Sequence, residues 1–338
     1  MKIALDAMGG DHAPEEIVRG ALEFLEEPEH RDVEVILVGS EKDVAPLASA
    51  SRHWGTRLQL VHAPERIGMD LAPTEAVRRF KEASIVVAAG LVGSGQADAL
   101  VSAGNTGVTM VAALRAFGRI RGVERPAVAT VVPTLQGPAV LCDVGANVDC
   151  RPSHLVAFAQ MGSVYAEQVL GIPKPRVALL SNGEEENKGS EVVVAAHAQL
   201  KELAGLNFIG NIEGRDIFHG GADVVVCDGF VGNIVLKLSE GLAGAIATMM
   251  REGANRNWRT KLGALLFKSA LFELRRRMDY TEYGGALLLG AARVCVISHG
   301  ASNAKAIKNA IGVAKEAVSR DVTQIIARMA QERVVTEI

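Results

Sequence analysis

The stretch ALVSAGNTGVTM, residues 99–110, carries the repeating unit of this chain. Its apolar start reads as a strand that breaks at Ser102, turns on Gly104 and Gly107, and continues as an apolar, helix-compatible segment. Small polar residues at the carboxyl end of a strand, just ahead of a helix, make a seat for an anion, because free backbone amides and the helix macrodipole meet there.

Working outward, the same rhythm recurs. Strands are expected at 2–7, 33–39, 58–63, 99–104, 127–133, 139–145, 176–181, 207–212, 223–229 and 294–300. Several are continuously apolar, as expected of a parallel sheet covered on both faces. Helical patterns lie between most of them, such as PEEIVRGALEFLEE at 14–27, where Pro14 suits a first helical turn. The alternation predicts an open, mostly parallel α/β sheet with right-handed crossovers. At 338 residues the chain exceeds the usual single core, yet an α/β fold reaches this length as one domain, expected here over 1–338.

Composition excludes several classes. Hydrophobic residues at 49% and charged ones at 22% are ordinary for a globular protein, and a net charge of −3 gives no global field for nucleic acid. Cys142, Cys150, Cys227 and Cys295 form no CxxC pair and no cluster with histidine, so neither a disulfide framework nor a metal site is expected. The start MKIALDAMGGD has no long apolar core of a signal peptide, and no run approaches about 18 apolar residues. A reduced, cytoplasmic chain without a membrane span is the expectation.

One segment breaks the rhythm. Residues 251–278 insert a helical, basic stretch of net charge +6 where another strand would be expected. Trp258, Leu262 and Leu265 share one side, while Phe267, Leu271 and Leu274 lie on the other. Two short helices joined near Gly263 to Ser269 account for this, with Leu265, Leu266 and Phe267 at the bend. The insert reads either as a helical pair in a dimer core or as an interfacial membrane anchor, whose Arg and Lys face anionic lipid while Trp258, Leu262, Leu265, Leu266 and Phe267 meet acyl chains. The two readings are compatible.

Open α/β sheets bind ligands outside the carboxyl ends of their strands. Six loops there share a vocabulary: DAMGGD (6–11), SAGNTG (102–107), DVGAN (143–147), SNGEEENKG (181–189), DGFVGN (228–233) and HGASN (299–303). Each offers Gly for close backbone approach and Asn, Ser or Asp for hydrogen bonding. Ordinary turns and helix caps use the same residues, so the signal lies in the group rather than in any one loop. Lys188 follows three glutamates where a helix should start. It reads either as part of a solvated cap or as a cation reaching a phosphate or oxyanion. His12 and His299 stand in Gly-bordered loops as turn hydrogen-bonders or proton-transfer groups. Cys227 reads as a buried, inert thiol.

Common fingerprints are missing. There is no GxxxxGK[ST], no GxSxG and no HExxH, and GLVGSGQAD at 90–98 replaces the third dinucleotide glycine by Asp98 in a helix-to-strand connection.

Taken in order, IALDAMGGDHAP, SAGNTG, LCDVGANVDC, SNGEEENKG, FIGNIEGRDI, DVVVCDGFVGN and YGGALLLG…ISHGASNAKAIKNAI resemble the motifs of PlsX, the phosphate acyltransferase family of bacterial phospholipid synthesis. The match runs from Met1 into the helix after Asn303. Small departures fall at Ala83-Ser84, Val108 and Asn182. The resemblance implies transfer of a long-chain acyl group from acyl carrier protein to inorganic phosphate. It implies a Rossmann-like three-layer α/β/α fold with a helical insert, related to phosphotransacetylases and isocitrate dehydrogenases. It also implies a homodimer peripherally bound to the inner face of the cell membrane.

Because phosphate is itself the nucleophile, no cofactor, metal or protein nucleophile is called for. The site must hold a dianion beside a thioester, stabilise the tetrahedral oxyanion and exclude water. Ser102, Asn105 and Thr106, with Gly104 and Gly107, are expected to hold phosphate, in a cleft shared with Asp6, Gly9, Gly10 and His12. Lys188 and Asn233 are expected to stabilise phosphate or the oxyanion, with Asp228 and Asn147 shaping the cleft. The acidic carrier protein would meet a basic surface, either 251–277 or the VRRFK run at 77–81. Alternatives are a short-chain phosphotransacetylase acting on acyl-coenzyme A, an NAD-dependent dehydrogenase of the related fold, and a non-catalytic membrane scaffold.

Overall fold

The computed structural model describes residues 1–49, 52–68, 70–269 and 284–336. Its strands are β1 (Lys2–Asp6), β2 (Glu34–Gly39), β3 (Leu58–His62), β4 (Ala99–Ser102), β5 (Ala127–Thr134), β6 (Gly137–Cys142), β7 (Val177–Leu180), β8 (Phe208–Ile212), β9 (Val224–Val226), β10 (Ala286–Leu289) and β11 (Val294–Ile297). They form one sheet in the order β3-β2-β1-β4-β11-β10-β5-β6-β9-β7-β8. All ten expected strands are present. The unexpected one is β10, whose four apolar residues are too few for periodicity to separate strand from helix.

The lasting reversal of the sheet comes at the β5/β6 pair. β3, β2, β1, β4 and β11 are mutually parallel; β10 runs antiparallel to β11 and β5, and β5 antiparallel to β6. From β6 through β9, β7 and β8 the strands are parallel again. The carboxyl ends of β1, β4 and β11 therefore leave one edge of the sheet, and those of β6, β9, β7 and β8 leave the other.

Alternate strand residues divide between two cores. Ile3, Leu5, Val35 and Leu37 pack with Ile17 and Phe24 of α1 (Glu15–Glu26), with α6 (Pro152–Gln168) and α7 (Glu191–Lys201), and with α11 (Ala304–Ser319) and α12 (Val322–Thr336). Ala4, Ile36 and Leu100 face α3 (Pro73–Arg79), α4 (Ser84–Gly93), α5 (Thr106–Ala116) and α8 (Gly214–His219). The result is the expected three-layer arrangement, with α2 (Glu41–Ser49) between β2 and β3 in the chain. Each large side chain fully buried in such a core contributes about 1.5–3 kcal/mol. α1 meets α11 so closely that a Cβ at Gly20 would lie 2.5 Å from the Ala304 carbonyl oxygen.

The helical insert starts earlier than expected. α9 runs unbroken from Gly229 to Asn255, and α10 (Trp258–Leu266) follows after a break capped by Asn257. The first interruption thus falls at Arg256–Asn257, because the Asn257 carboxamide oxygen accepts from the Thr260 amide at 3.0 Å and starts a new helix. The break expected near Gly263 to Ser269 has its counterpart at Phe267, which ends α10; the part of the insert from 270 to 278 lies outside the described residues.

α9 also qualifies the expectation of no membrane-spanning stretch. It is 27 residues long and contains an 18-residue window of mean hydropathy 1.3, enough to cross a membrane by length and composition. Strict apolar runs missed it because Lys237 and Glu240 interrupt the sequence. Its first turn is anchored in the fold through buried Gly229 and Gly232, Val235 and Leu236 pack against the second core, and most residues from 241 onward are exposed. Phe230, Ile234, Leu238, Leu242, Ile246 and Met249 are exposed along it at helical spacing.

Candidate active site

Chain order and sheet order together locate a crevice. From β1 the chain moves to β2 and β3 on one side, then crosses to β4 on the other, so the switch point lies between β1 and β4. Asp6 ends β1 and Ser102 ends β4. The crevice outside them is lined by Asp6, Gly9, Arg66, Ser84, Gly104, Asn105 and Thr109, among others, and encloses about 240 Å³ counting its open mouth.

Its floor is a closed hydrogen-bond network. Ser84 Oγ donates to Asp6 Oδ1 at 2.6 Å and Ser102 Oγ to Oδ2 at 2.7 Å. The Gly104 amide donates to Ser102 Oγ at 3.1 Å, so the network fixes the turn that leads into α5. Burial pushes the Asp6 carboxyl above its ordinary value, against the two serine hydroxyls, the Met8 amide and the charge of Arg66. A Cβ at Gly9 would lie 2.4 Å from Asp6 Oδ2 and 2.8 Å from the Gly104 nitrogen. The two turns approach each other backbone to backbone, which only glycine permits there.

Several expected roles change. Ser102 is fully buried and its hydroxyl serves Asp6, Gly104 and Thr109, so it supports the turn and is closed to a ligand. Asn105 Oδ1 caps α5 by accepting from the Val108 amide at 3.1 Å. Thr106 is exposed in the first turn, and Gly107 packs under Pro73, with a Cβ there only 2.7 Å from Pro73 Cγ. Gly10, at φ +108°, takes the left-handed turn that leads toward exposed His12. His299 leaves β11 at the same edge and its Nδ1 accepts from the Ala301 amide.

Asn147, Lys188, Asp228 and Asn233 lie elsewhere. β9, which leads to Asp228, stands five places along the sheet from β4, roughly 24 Å at about 4.8 Å per strand. Lys188, after β7, is one place further. The expectation of one cleft holding both groups is corrected: from the antiparallel β5/β6 pair onward the strands run the other way, and their carboxyl ends leave the other edge.

At that edge Asp143 is buried, and its carboxylate accepts from the amides of Val128, Gly145, Ala146 and Asn147 and from Asn147 Nδ2. Asn147 Nδ2 also donates to the Pro126 carbonyl, and the Asn147 carbonyl accepts from the Gly229 amide at 2.7 Å. Asp228 Oδ1 caps α9 at the Val231 amide, 2.8 Å away, with half-buried Asn233 in the following turn. Asn147 and Asp228 are therefore engaged in building the start of α9.

Lys188 is exposed in a separate groove with Glu184, Glu185, Glu213 and Arg215, which shares no residue with the β1/β4 crevice. Burial pushes the Cys227 thiol well above its ordinary value, as befits the inert residue expected.

Arg66, Ser84 as the partner of Asp6, and Asp143 as an amide collector escaped sequence reading. Arg66 lies outside the six loops singled out by their vocabulary, and Ser84 meets Asp6 only through the crossover of α4.

Comparison with known proteins now adds identity to geometry. The family described as fatty acid synthesis protein matches residues 1–325. The chain belongs to that family. It is 54% identical over 322 residues to the phosphate acyltransferase of Heliobacterium modesticaldum, covering 95% of each chain. It is 54% identical over 318 residues to that of Pelotomaculum thermopropionicum, covering 94% of this chain and 92% of the relative. The resemblance to PlsX is thereby shown, and the chain is an acyltransferase enzyme whose relatives support acyl transfer to phosphate. Among solved structures, the EutD phosphotransacetylase of Staphylococcus aureus aligns with a TM-score of 0.62 at 17% identity, and a Streptococcus pyogenes phosphotransacetylase with 0.63 at 18%; each alignment covers 94% of both chains. These two share the fold.

Proposed function

We propose that this acyltransferase moves a long-chain acyl group from the thioester of acyl carrier protein to inorganic phosphate, giving acyl phosphate for phospholipid synthesis. The observation that carries the siting is the β1/β4 crevice. Phosphate sits at its mouth, over the Gly9 and Gly104 backbones and before the exposed first turn of α5. An oxygen of the bound phosphate attacks the thioester carbonyl carbon; the tetrahedral oxyanion collapses, the carbon–sulfur bond breaks, and the carrier leaves as a thiolate that takes a proton. Holding phosphate in place converts a bimolecular encounter into an oriented one.

Exposed apolar side chains on α9 and α10 support a homodimer and a peripheral hold on the inner face of the cell membrane from the cytoplasm. Leu265, Leu266 and Phe267 are all exposed at the end of α10, beside basic Arg259 and Lys261.

The test is incubation with acyl carrier protein thioester and phosphate, reading thiol release. Release that depends on phosphate is expected; release with coenzyme A thioesters but not with the carrier would assign the short-chain reaction instead. A trapped acyl-enzyme would contradict direct attack.

A further inference from the structure

We propose that Arg66 is the residue that grips the attacking phosphate, its guanidinium closing the mouth of the β1/β4 crevice. The inference rests on phosphate binding in that crevice and adds the group that binds it there.

Among the described residues lining the crevice, Arg66 is the sole cation. Without it the polar lining is a buried acid, one serine, one threonine, Asn105 and backbone, a poor host for a dianion. Arg66 lies in the loop after β3, which is tied to the start of α4 by the Ser84 amide donating to the Glu65 carbonyl at 3.1 Å. The loop thus carries the side chain across β2 and β1 to the switch point.

Arg66 Nη2 donates to the Gly10 carbonyl at 2.9 Å. That single bond fixes the fork over the Gly9–Gly10 turn. A guanidinium carries five N–H donors, and the others have no partner among the described residues. A planar fork with unspent donors suits two phosphate oxygens at once. Beneath it, the Gly9 and Gly104 backbones pack against each other beside the Asp6 carboxylate, so the turn under the fork is held fixed. The charge of Arg66 also acts on Asp6, which places the two groups within electrostatic reach. A phosphate at the mouth would therefore meet the guanidinium before the carboxyl, which is turned to Ser84 and Ser102.

The experiment pairs steady-state kinetics, varying inorganic phosphate at saturating acyl carrier protein thioester, with calorimetric titration of inorganic phosphate into the full chain. Arg66→Gln should raise the phosphate KM on the order of tenfold or more and weaken the calorimetric affinity in parallel. The effect should fall on the phosphate KM far more than on the KM for the thioester, which separates loss of a phosphate contact from a general disturbance of the site. Arg66→Lys, which keeps the charge and can still reach Gly10, should fall between wild type and Arg66→Gln because an ammonium is a point charge. A folded Arg66→Gln with wild-type phosphate KM and affinity overturns the assignment of Arg66 alone. Wild-type protein that neither binds phosphate nor needs it for thiol release overturns the siting of phosphate as well.

Discussion

Gly232 lies directly against Asp143: a Cβ built on the glycine would stand 1.9 Å from the Asp143 carbonyl oxygen. This contact joins the first turn of α9 to the end of β6, and the obstacle is backbone that cannot swing aside. Gly232→Ala should cost about 1–3 kcal/mol or more through overpacking. Urea unfolding read by circular dichroism checks it, and a midpoint equal to wild type would refute the contact.

The Asp6 carboxyl, raised by burial above its ordinary 3.8, binds its proton more tightly in the folded chain than in the unfolded one. Its contribution to stability is thus fully present below 3.8 and is lost as pH rises through the folded value. Asp6→Asn cannot titrate, so the difference in stability should move toward the variant as pH rises from about 4. Parallel stability curves for the two proteins would show that burial does not govern this carboxyl.

Tyr165 is fully buried in α6 and its hydroxyl has no hydrogen-bond partner among the described residues. Removing an unsatisfied buried donor relieves its desolvation penalty. Tyr165→Phe should leave stability unchanged or raise it by up to about 1 kcal/mol. Calorimetric melting decides, and a clear loss would mean that the hydroxyl is satisfied in solution.

Lys188 projects into a groove of its own, facing Glu184, Glu185, Glu213 and Arg215. Lys188→Ala should therefore leave the phosphate KM at its wild-type value, whatever it does to turnover. A phosphate KM raised several-fold would bring the two sheet edges into one site.

Leu266, 79% exposed at the end of α10, offers apolar surface. Leu266→Glu should release the protein from anionic vesicles in a flotation assay while soluble thiol-release activity persists. Retained flotation would move the membrane contact away from α10.

The sequence by itself determined the strand–turn–helix rhythm and the expected strands β1 to β9 and β11, because a strand buried on both faces must be apolar throughout and its turns must use glycine. Ordered motifs such as DAMGGD, SAGNTG and SNGEEENKG were enough to indicate the family. The tertiary structure decided which loops meet. Ala286–Leu289 is short enough to be ambiguous, and the antiparallel β5/β6 pairing sends Asp6 and Ser102 to one edge and Asp143 and Lys188 to the other. It also decided roles within a motif: Ser102 is buried under Asp6, while Arg66, outside every motif, is carried over the crevice by the loop after β3. Local pattern reports the environment of a strand, whereas strand direction and long-range pairing depend on contacts between residues as far apart as Asp6 and Ser84.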